Sequence, residues 1–172
     1  PEKVIYRLCD YNDKDFSFFA EKHESRGAKR LLQQDSLFGA DLAVISKLRE
    51  NVKEVDILVP YVVFPQEFNE LRQKIISRFK SIKVGAMLEV PANLLEIERF
   101  SDANFYVFGP GDLIKNLYGG IDRNSPDFDK VNQNIVINPV LKCLESIEKT
   151  GAQKRVFLVK NLVGLENQYS NI

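Results

Sequence analysis

The stretch VGAMLEVPANLLEIERFSDANFYVFGPGDL, residues 84–113, contains two apolar runs that are each followed by an acidic residue. Glu89 follows the first run, and Asp112 follows the second after a turn at Pro110 and Gly111. Short apolar runs of this kind, bounded by proline and glycine, are typical of buried strands. Burying a carboxylate costs free energy, so an acid at each of two neighbouring strand ends points to a specific purpose.

Outward from this stretch, apolar runs alternate with amphipathic segments along the chain. The predicted strands are residues 4–9, 55–60, 83–88, 104–109 and 155–159. The predicted helices are residues 31–50, 65–82, 91–100 and 136–151, with a long loop over 118–133. Nearly continuous apolar strands separated by helices indicate a parallel sheet that helices cover on both faces.

Right-handed crossovers leave an open doubly wound sheet or a barrel as the possible architectures. The chain has no G-x-G-x-x-G or P-loop motif, so a nucleotide-binding open sheet has no support. A complete barrel takes about 250 residues, and this chain has 172. We therefore predict an α/β fold of the (β/α)8 TIM-barrel type that is incomplete, with about five to six of the eight units. Residues 1–172 are predicted to form this single partial barrel domain.

Composition excludes several classes of protein. The 24 basic and 24 acidic residues balance, so no basic surface for nucleic acid is expected. No apolar run is long enough to span a bilayer, and the N-terminal residues lack a signal-peptide layout, which predicts a cytoplasmic protein without membrane association. Cys9 and Cys143 lie in apolar segments and are predicted to be core thiols, and His23 a solvated loop residue.

Three charged residues fall where ligands gather in parallel α/β folds, at the carboxyl ends of strands. Arg7 lies within or at the end of the first strand, Glu89 follows the third and Asp112 follows the fourth. Two carboxylate oxygens can hold Mg²⁺, while water and substrate fill its other coordination positions. An arginine can bind a carboxylate or a phosphate. Helix capping by the two acids explains the spacing equally well.

Several segments, in order along the chain, resemble the phosphoenolpyruvate (PEP)-utilising enzymes: phosphoenolpyruvate synthase, pyruvate phosphate dikinase and enzyme I of the sugar phosphotransferase system. MLEVP resembles the family segment M-x-E-[IVT]-P, and VIYRLCD resembles V-x-x-R-T-x-D. The remaining matches are SRGAKR, VDILVPYV and FGPGDLIKNLYGGIDRNS, with FDKVNQNIVINPVLKCL closest to the synthase branch.

The resemblance implies a role for each matching residue. Glu89 and Asp112 match the acids that hold Mg²⁺, which bridges the carboxylate and enol oxygen of the substrate. Arg7 and Arg26 match the arginines that bind the phosphoryl group, and Arg123 matches a further arginine of the site. A metal ion and guanidinium groups stabilise the negative charge of a pyruvate enolate.

The chain departs from the family pattern at three positions. Val159 stands where the family has the cysteine that exchanges a proton with the methyl carbon, and valine cannot transfer a proton. Gly111, at a substrate-binding position, replaces an asparagine, and Lys115 replaces a glutamine. Lys160 could serve as a substitute base if it is desolvated.

Three functions remain open. The first is the PEP- or pyruvate-binding domain of a Mg²⁺-dependent, synthase-like phosphotransferase, with the phosphohistidine and ATP-binding domains elsewhere. Val159 at the family cysteine position would impair its catalysis. The second is a metal-dependent pyruvate aldolase or lyase. FGPGDL also resembles the G-P-x-D-L segment of those enzymes, which need no cysteine at the last strand. The third is a non-catalytic ligand-sensing domain. Open strand edges of a partial barrel would also favour a homo-oligomer.

Overall fold

The computed structural model describes residues 2–10, 25–122, 124–149 and 155–158. Within these residues the strands are β1 (Lys3–Arg7), β2 (Glu54–Val59), β3 (Val84–Leu88), β4 (Phe105–Phe108) and β5 (Arg155–Leu158). The helices are α1 (Gly27–Gln33), α2 (Asp35–Asn51), α3 (Pro65–Arg78), α4 (Pro91–Leu95), α5 (Pro110–Leu117) and α6 (Ile137–Lys149). Every predicted strand is therefore present, with its ends within two residues of the prediction.

The chain divides into two compact units, residues 1–86 and 87–172, with the boundary inside β3. In unit 1, β1 pairs in parallel with β2, from Lys3 opposite Glu54 to Arg7 opposite Leu58. The first residues of β3 pair in parallel with the other edge of β2. In unit 2, β4 pairs in parallel with β5. The predicted parallel α/β class is confirmed, and it is the arrangement that an incomplete (β/α)8 barrel requires.

Burial explains why the strands are apolar almost throughout. All residues of β3 and β4 are buried, as are all those of β2 after its first residue. The core of each unit combines these strands with the apolar faces of the helices, including Phe68 and Ile75 of α3. No helix of the described residues is both long and apolar enough to cross a bilayer.

Three predicted elements differ from the structure. The helix predicted over 91–100 is shorter, because α4 ends at Leu95 and a 3₁₀ helix, Ile97–Phe100, follows it. The helix predicted over 31–50 is interrupted at Gln34, whose φ of −125° and ψ of 87° are not helical, and α1 begins earlier, at Gly27. The turn predicted at Pro110 and Gly111 is wrong, because both residues belong to the first turn of α5. Proline suits that position since the first helical N–H has no partner within the helix.

At the start of the strands in unit 1, an ion-pair network joins neighbouring segments. Lys3 Nζ lies 2.7 Å from Asp56 Oδ2 and 2.8 Å from Glu54 Oε1. Glu54 also pairs with Lys83 Nζ at 3.3 Å. Hydrogen bonds to Asp56 and Glu54 raise the pKa of Lys3. Asp56 is buried, so the lysine supplies the positive charge that its burial requires.

The other end of β1 is fixed to α2 by the buried carboxylate of Asp41. Tyr6 Oη donates to Asp41 Oδ1 at 2.7 Å, and the backbone N–H of Cys9 donates to Asp41 Oδ2 at 3.0 Å. Burial, and then the hydrogen bond to Asp41, raise the pKa of Tyr6, which therefore stays protonated as the donor. Asp41 thus holds the segment that follows β1 in place.

Unit 2 buries all of β4 and one face of α6. Tyr106 is buried and its hydroxyl donates to the backbone oxygen of Phe100 at 3.0 Å. Cys143 lies on the buried face of α6, and burial, followed by the charge of Glu98, raises its thiol pKa to about 12. Cys143 is therefore a core thiol, as predicted, whereas Cys9 is only partly buried, so the prediction of a core thiol is wrong at that position.

Replacing Asp41 by alanine should lower the free energy of unfolding by about 2–4 kcal/mol, because two donors lose their buried acceptor. The matched control, Asp102→Ala, removes an exposed carboxylate and should change that free energy by no more than about 0.5 kcal/mol. Urea unfolding followed by circular dichroism measures both. Equal stability of the two variants would contradict the proposed role of Asp41.

Candidate functional site

In unit 1, four residues form a cluster where β1 and β2 end, here called the arginine cluster: Arg7, Asp10, Arg26 and Tyr61. Arg7 is the last residue of β1, and Asp10 follows three residues later. Arg26 directly precedes α1, and Tyr61 follows β2 after Pro60. These positions are the carboxyl ends of parallel strands, where the sequence predicted charged ligand-binding side chains.

The carboxylate of Asp10 connects the two arginines. Arg26 Nε donates to Asp10 Oδ1 at 3.1 Å, and Arg26 Nη2 donates to Asp10 Oδ2. Arg7 Nη1 lies 3.8 Å from the same Oδ2. The Asp10 side chain is only 3% exposed, while those of Arg7 and Arg26 are 49% and 24% exposed. The guanidinium groups of Arg7 and Arg26 therefore approach the same carboxylate oxygen, and together they carry one positive charge in excess of Asp10.

The backbone beside Arg26 is held in an uncommon conformation. Gly27 has a φ of +57°, and a Cβ there would lie 2.5 Å from Tyr61 Cβ and 2.6 Å from Tyr61 O. Tyr61 itself has a φ of 40°, which is rare for a residue with a bulky side chain. The N–H of Ala28 donates to Pro60 O at 3.2 Å. Only glycine fits at position 27, so the start of α1 packs directly on the segment after β2.

In unit 2, Glu89 is fixed against the segment that follows β4. Glu89 is 3% exposed, and a Cβ added to Gly109 would lie 2.5 Å from Glu89 Cγ and 2.7 Å from Glu89 Oε1. Gly109 N–H donates to Leu88 O at 3.1 Å, and Asn116 Nδ2 donates to Glu89 O at 3.1 Å. The Glu89 carboxylate therefore lies directly over the backbone that begins α5.

Asp112 belongs to the same helix start. It is 5% exposed and lies in the first turn of α5, after Pro110 and Gly111, rather than at the end of β4 as predicted. Glu89 therefore lies beside Gly109, the N-cap residue of the helix that contains Asp112. The positive end of the helix dipole favours negative charge at this position. The N-cap residue of α5 is Gly109 and not Asp112, and the place of Asp112 in the first turn is compatible with a ligand-binding role.

The chemistry of these two acids fits a hard divalent cation. Both are buried carboxylates, which are stable in proteins when a cation or hydrogen-bond donors meet them. Mg²⁺ is commonly bound by one or two carboxylates and keeps several waters. Among the described residues, no group of three or more histidine, cysteine, aspartate or glutamate side chains converges on one point. A site with several protein ligands, of the kind that zinc requires, is therefore not found in the described part of the chain.

Some predicted residues lie outside the described residues. They are Arg123, Val159, Lys160 and His23. Gly111 is described and sits in the first turn of α5, beside Asp112. Sequence reasoning assigned no role to Asp10, Tyr61 or Gly109. An isolated glycine after a buried strand often marks a close approach, and this signal could have identified Gly109.

Comparison with known families gives one match of nearly full length. The family model described as "PEP-utilising enzyme, PEP-binding domain" matches residues 1–159. No curated protein matches the chain.

Replacing Gly109 by alanine should lower the free energy of unfolding by about 1–3 kcal/mol, because the added methyl group must displace the Glu89 carboxylate. Gly39→Ala is the matched control, since nothing lies within 4 Å of a Cβ there. That residue is exposed within α2, so alanine should stabilise the protein by about 0.5–1 kcal/mol. Opposite signs in urea unfolding are expected, and a stabilising Gly109→Ala would contradict the described contact.

Proposed function

The chain belongs to the PEP-utilising enzyme family as its PEP-binding domain, and from this premise we propose that it binds PEP or pyruvate together with Mg²⁺. Glu89 and Asp112 hold the metal ion, and Arg7, Arg26 and Arg123 bind the phosphoryl group. Residues 1–172 act as one partial barrel domain of a larger phosphotransferase. The observation that carries this proposal is the pair of arginines that meet at Asp10 in unit 1, in a chain of this family. Unit 2 by itself holds the two buried acids, Glu89 and Asp112.

The charges of the described residues suit such a ligand. The phosphoryl group of PEP is a dianion, and two guanidinium groups that meet at Asp10 offer it several charge-assisted hydrogen bonds. A Mg²⁺ ion on carboxylates would supply positive charge toward the carboxylate and enol oxygen of the substrate. Glu89 and Asp112 would keep that ion in place, and their burial limits competition from water.

The wider reaction that we propose is phosphoryl transfer between pyruvate or PEP and a phosphohistidine. A separate domain would carry that histidine, and a further one would bind ATP, as in the synthase branch that the segment FDKVNQNIVINPVLKCL resembles. Mg²⁺ and the arginines would neutralise the charge that develops on the transferred group.

Binding of oxalate, an enolpyruvate mimic, in the presence of Mg²⁺ tests the metal proposal on the intact protein by isothermal titration calorimetry. Glu89→Gln and Asp112→Asn should each weaken binding by about tenfold or more, because each replaces a charged metal ligand. Glu145→Gln on α6 is the control, since that acid is exposed and should leave binding unchanged. Absence of oxalate binding by the folded, unaltered protein would overturn the proposal.

Proton transfer at the methyl carbon is a separate question, because Val159 replaces the family cysteine. We propose that this domain binds pyruvate without exchanging its methyl protons, unlike a family member with the cysteine. Proton NMR of pyruvate in deuterated water with Mg²⁺ should show no exchange above the protein-free rate. The Val159→Cys variant restores a thiol that can transfer a proton and is expected to accelerate exchange.

Rapid exchange in the unaltered protein would contradict this part of the proposal and would implicate another base, such as Lys160. Release of pyruvate from a 4-hydroxy-2-oxo acid would instead favour the lyase alternative, which needs no cysteine at this position.

A further inference from the structure

The Arg26 side chain is held from two directions. Asp10 accepts two hydrogen bonds from the Nε and Nη2 edge of the guanidinium. The Tyr61 ring stacks on its face, with Arg26 Cζ 3.9 Å from the ring centroid. A guanidinium that is bound along one edge and stacked on one face has lost most of its rotational freedom before any ligand arrives.

The conformation of Tyr61 requires an explanation of its own. Its φ of 40° is unfavourable for a residue with a large side chain. A Cβ at position 27 would collide with the Cβ and the backbone oxygen of Tyr61. Strained backbone of this kind persists where the surrounding structure holds it, and it is concentrated at functional sites. Here the strained residue, Tyr61, is also the one whose ring stacks on the Arg26 guanidinium.

Asp10 also keeps the guanidinium groups of the two arginines close to each other. Arg7 Nη1 and Arg26 Nη2 both approach the same oxygen, Asp10 Oδ2. Two guanidinium groups repel each other without a shared anion, and Asp10 supplies one that is almost fully buried. The arginines therefore stay together in the absence of a ligand.

We infer that Asp10 and Tyr61 are positioning residues that hold Arg26, and through Asp10 also Arg7, in the arrangement that receives a phosphoryl dianion. The inference rests on the proposed function, and it adds that affinity for the phosphoryl group depends on two residues that do not themselves contact it. Preorganised donors bind more tightly because less side-chain entropy is lost on binding. Asp10 and Tyr61 therefore determine the selectivity of the arginine cluster for phosphorylated over unphosphorylated ligands.

The test compares two ligands on the intact protein by calorimetry, both with Mg²⁺: PEP, which has a phosphoryl group, and oxalate, which has none. Asp10→Asn should raise the Kd for PEP by about tenfold. Tyr61→Leu should raise it by about fivefold, whereas Tyr61→Phe keeps the stacked ring and should stay within about twofold. The Kd for oxalate should change by less than about twofold in all three.

The matched control is Phe79→Leu. It removes the ring that lies 5.4 Å from Arg49 Cζ and 5.8 Å from Arg78 Cζ, away from the arginine cluster. This variant also loses a buried aromatic residue, so it should lower stability without changing the ratio of the two Kd values. Folding of every variant is measured by urea unfolding.

The outcomes separate the inference from the proposed function. If the unaltered protein binds neither ligand, the proposed function fails. If it binds both and the ratio of Kd values is the same in Asp10→Asn and Tyr61→Leu as in the unaltered protein, the inference alone fails. Tighter PEP binding by Asp10→Asn would also overturn it, because Asp10 would then act as a competitor of the ligand. If Asp10→Asn does not fold, the contrast between Tyr61→Leu and Tyr61→Phe decides.

Discussion

A carboxylate is buried in a protein only where donors or cations meet it, and this constraint organises both units of the structure. Four acidic residues of the described part of the chain are buried: Asp41, Asp56, Glu89 and Asp112. The side chain of Asp10 is buried as well. Asp56 meets Lys3, Asp41 meets Tyr6 and the N–H of Cys9, and Asp10 meets Arg26. Each of these contacts joins segments that are far apart in sequence.

The buried acids differ in what they can do for a ligand. Asp56 and Asp41 are paired with groups that belong to the framework, and they fix the two ends of β1. Asp10 is paired with arginines that remain partly exposed, so its negative charge arranges positive charge that a ligand can reach. Glu89 and Asp112 provide carboxylate oxygens, the type of ligand that Mg²⁺ prefers. We therefore propose that the stability of the fold and the binding of a ligand depend on different carboxylates.

The sequence predicted the strands well because each is an apolar run bounded by polar or turn-forming residues. It also placed Glu89 correctly, since an ionisable residue directly after such a run lies at a strand end. Arg7, which was predicted within or at the end of the first strand, is the last residue of β1. It failed at Asp112, because Pro110 and Gly111 were taken as a turn although they begin α5. The roles of Asp10 and Tyr61 were not predictable, since their contacts with Arg26 join residues that no local pattern relates.

The contact between Glu89 and Gly109 limits how these two positions can vary together. With glycine at 109, the longer acid fits over the backbone, and any larger residue there collides with its Cγ and Oε1. A homologue with alanine at this position is therefore compatible with the fold only if a shorter side chain stands at 89 or the carboxylate turns elsewhere. In an alignment, the pair should covary as one unit, and a design that transplants the acid must transplant the glycine with it.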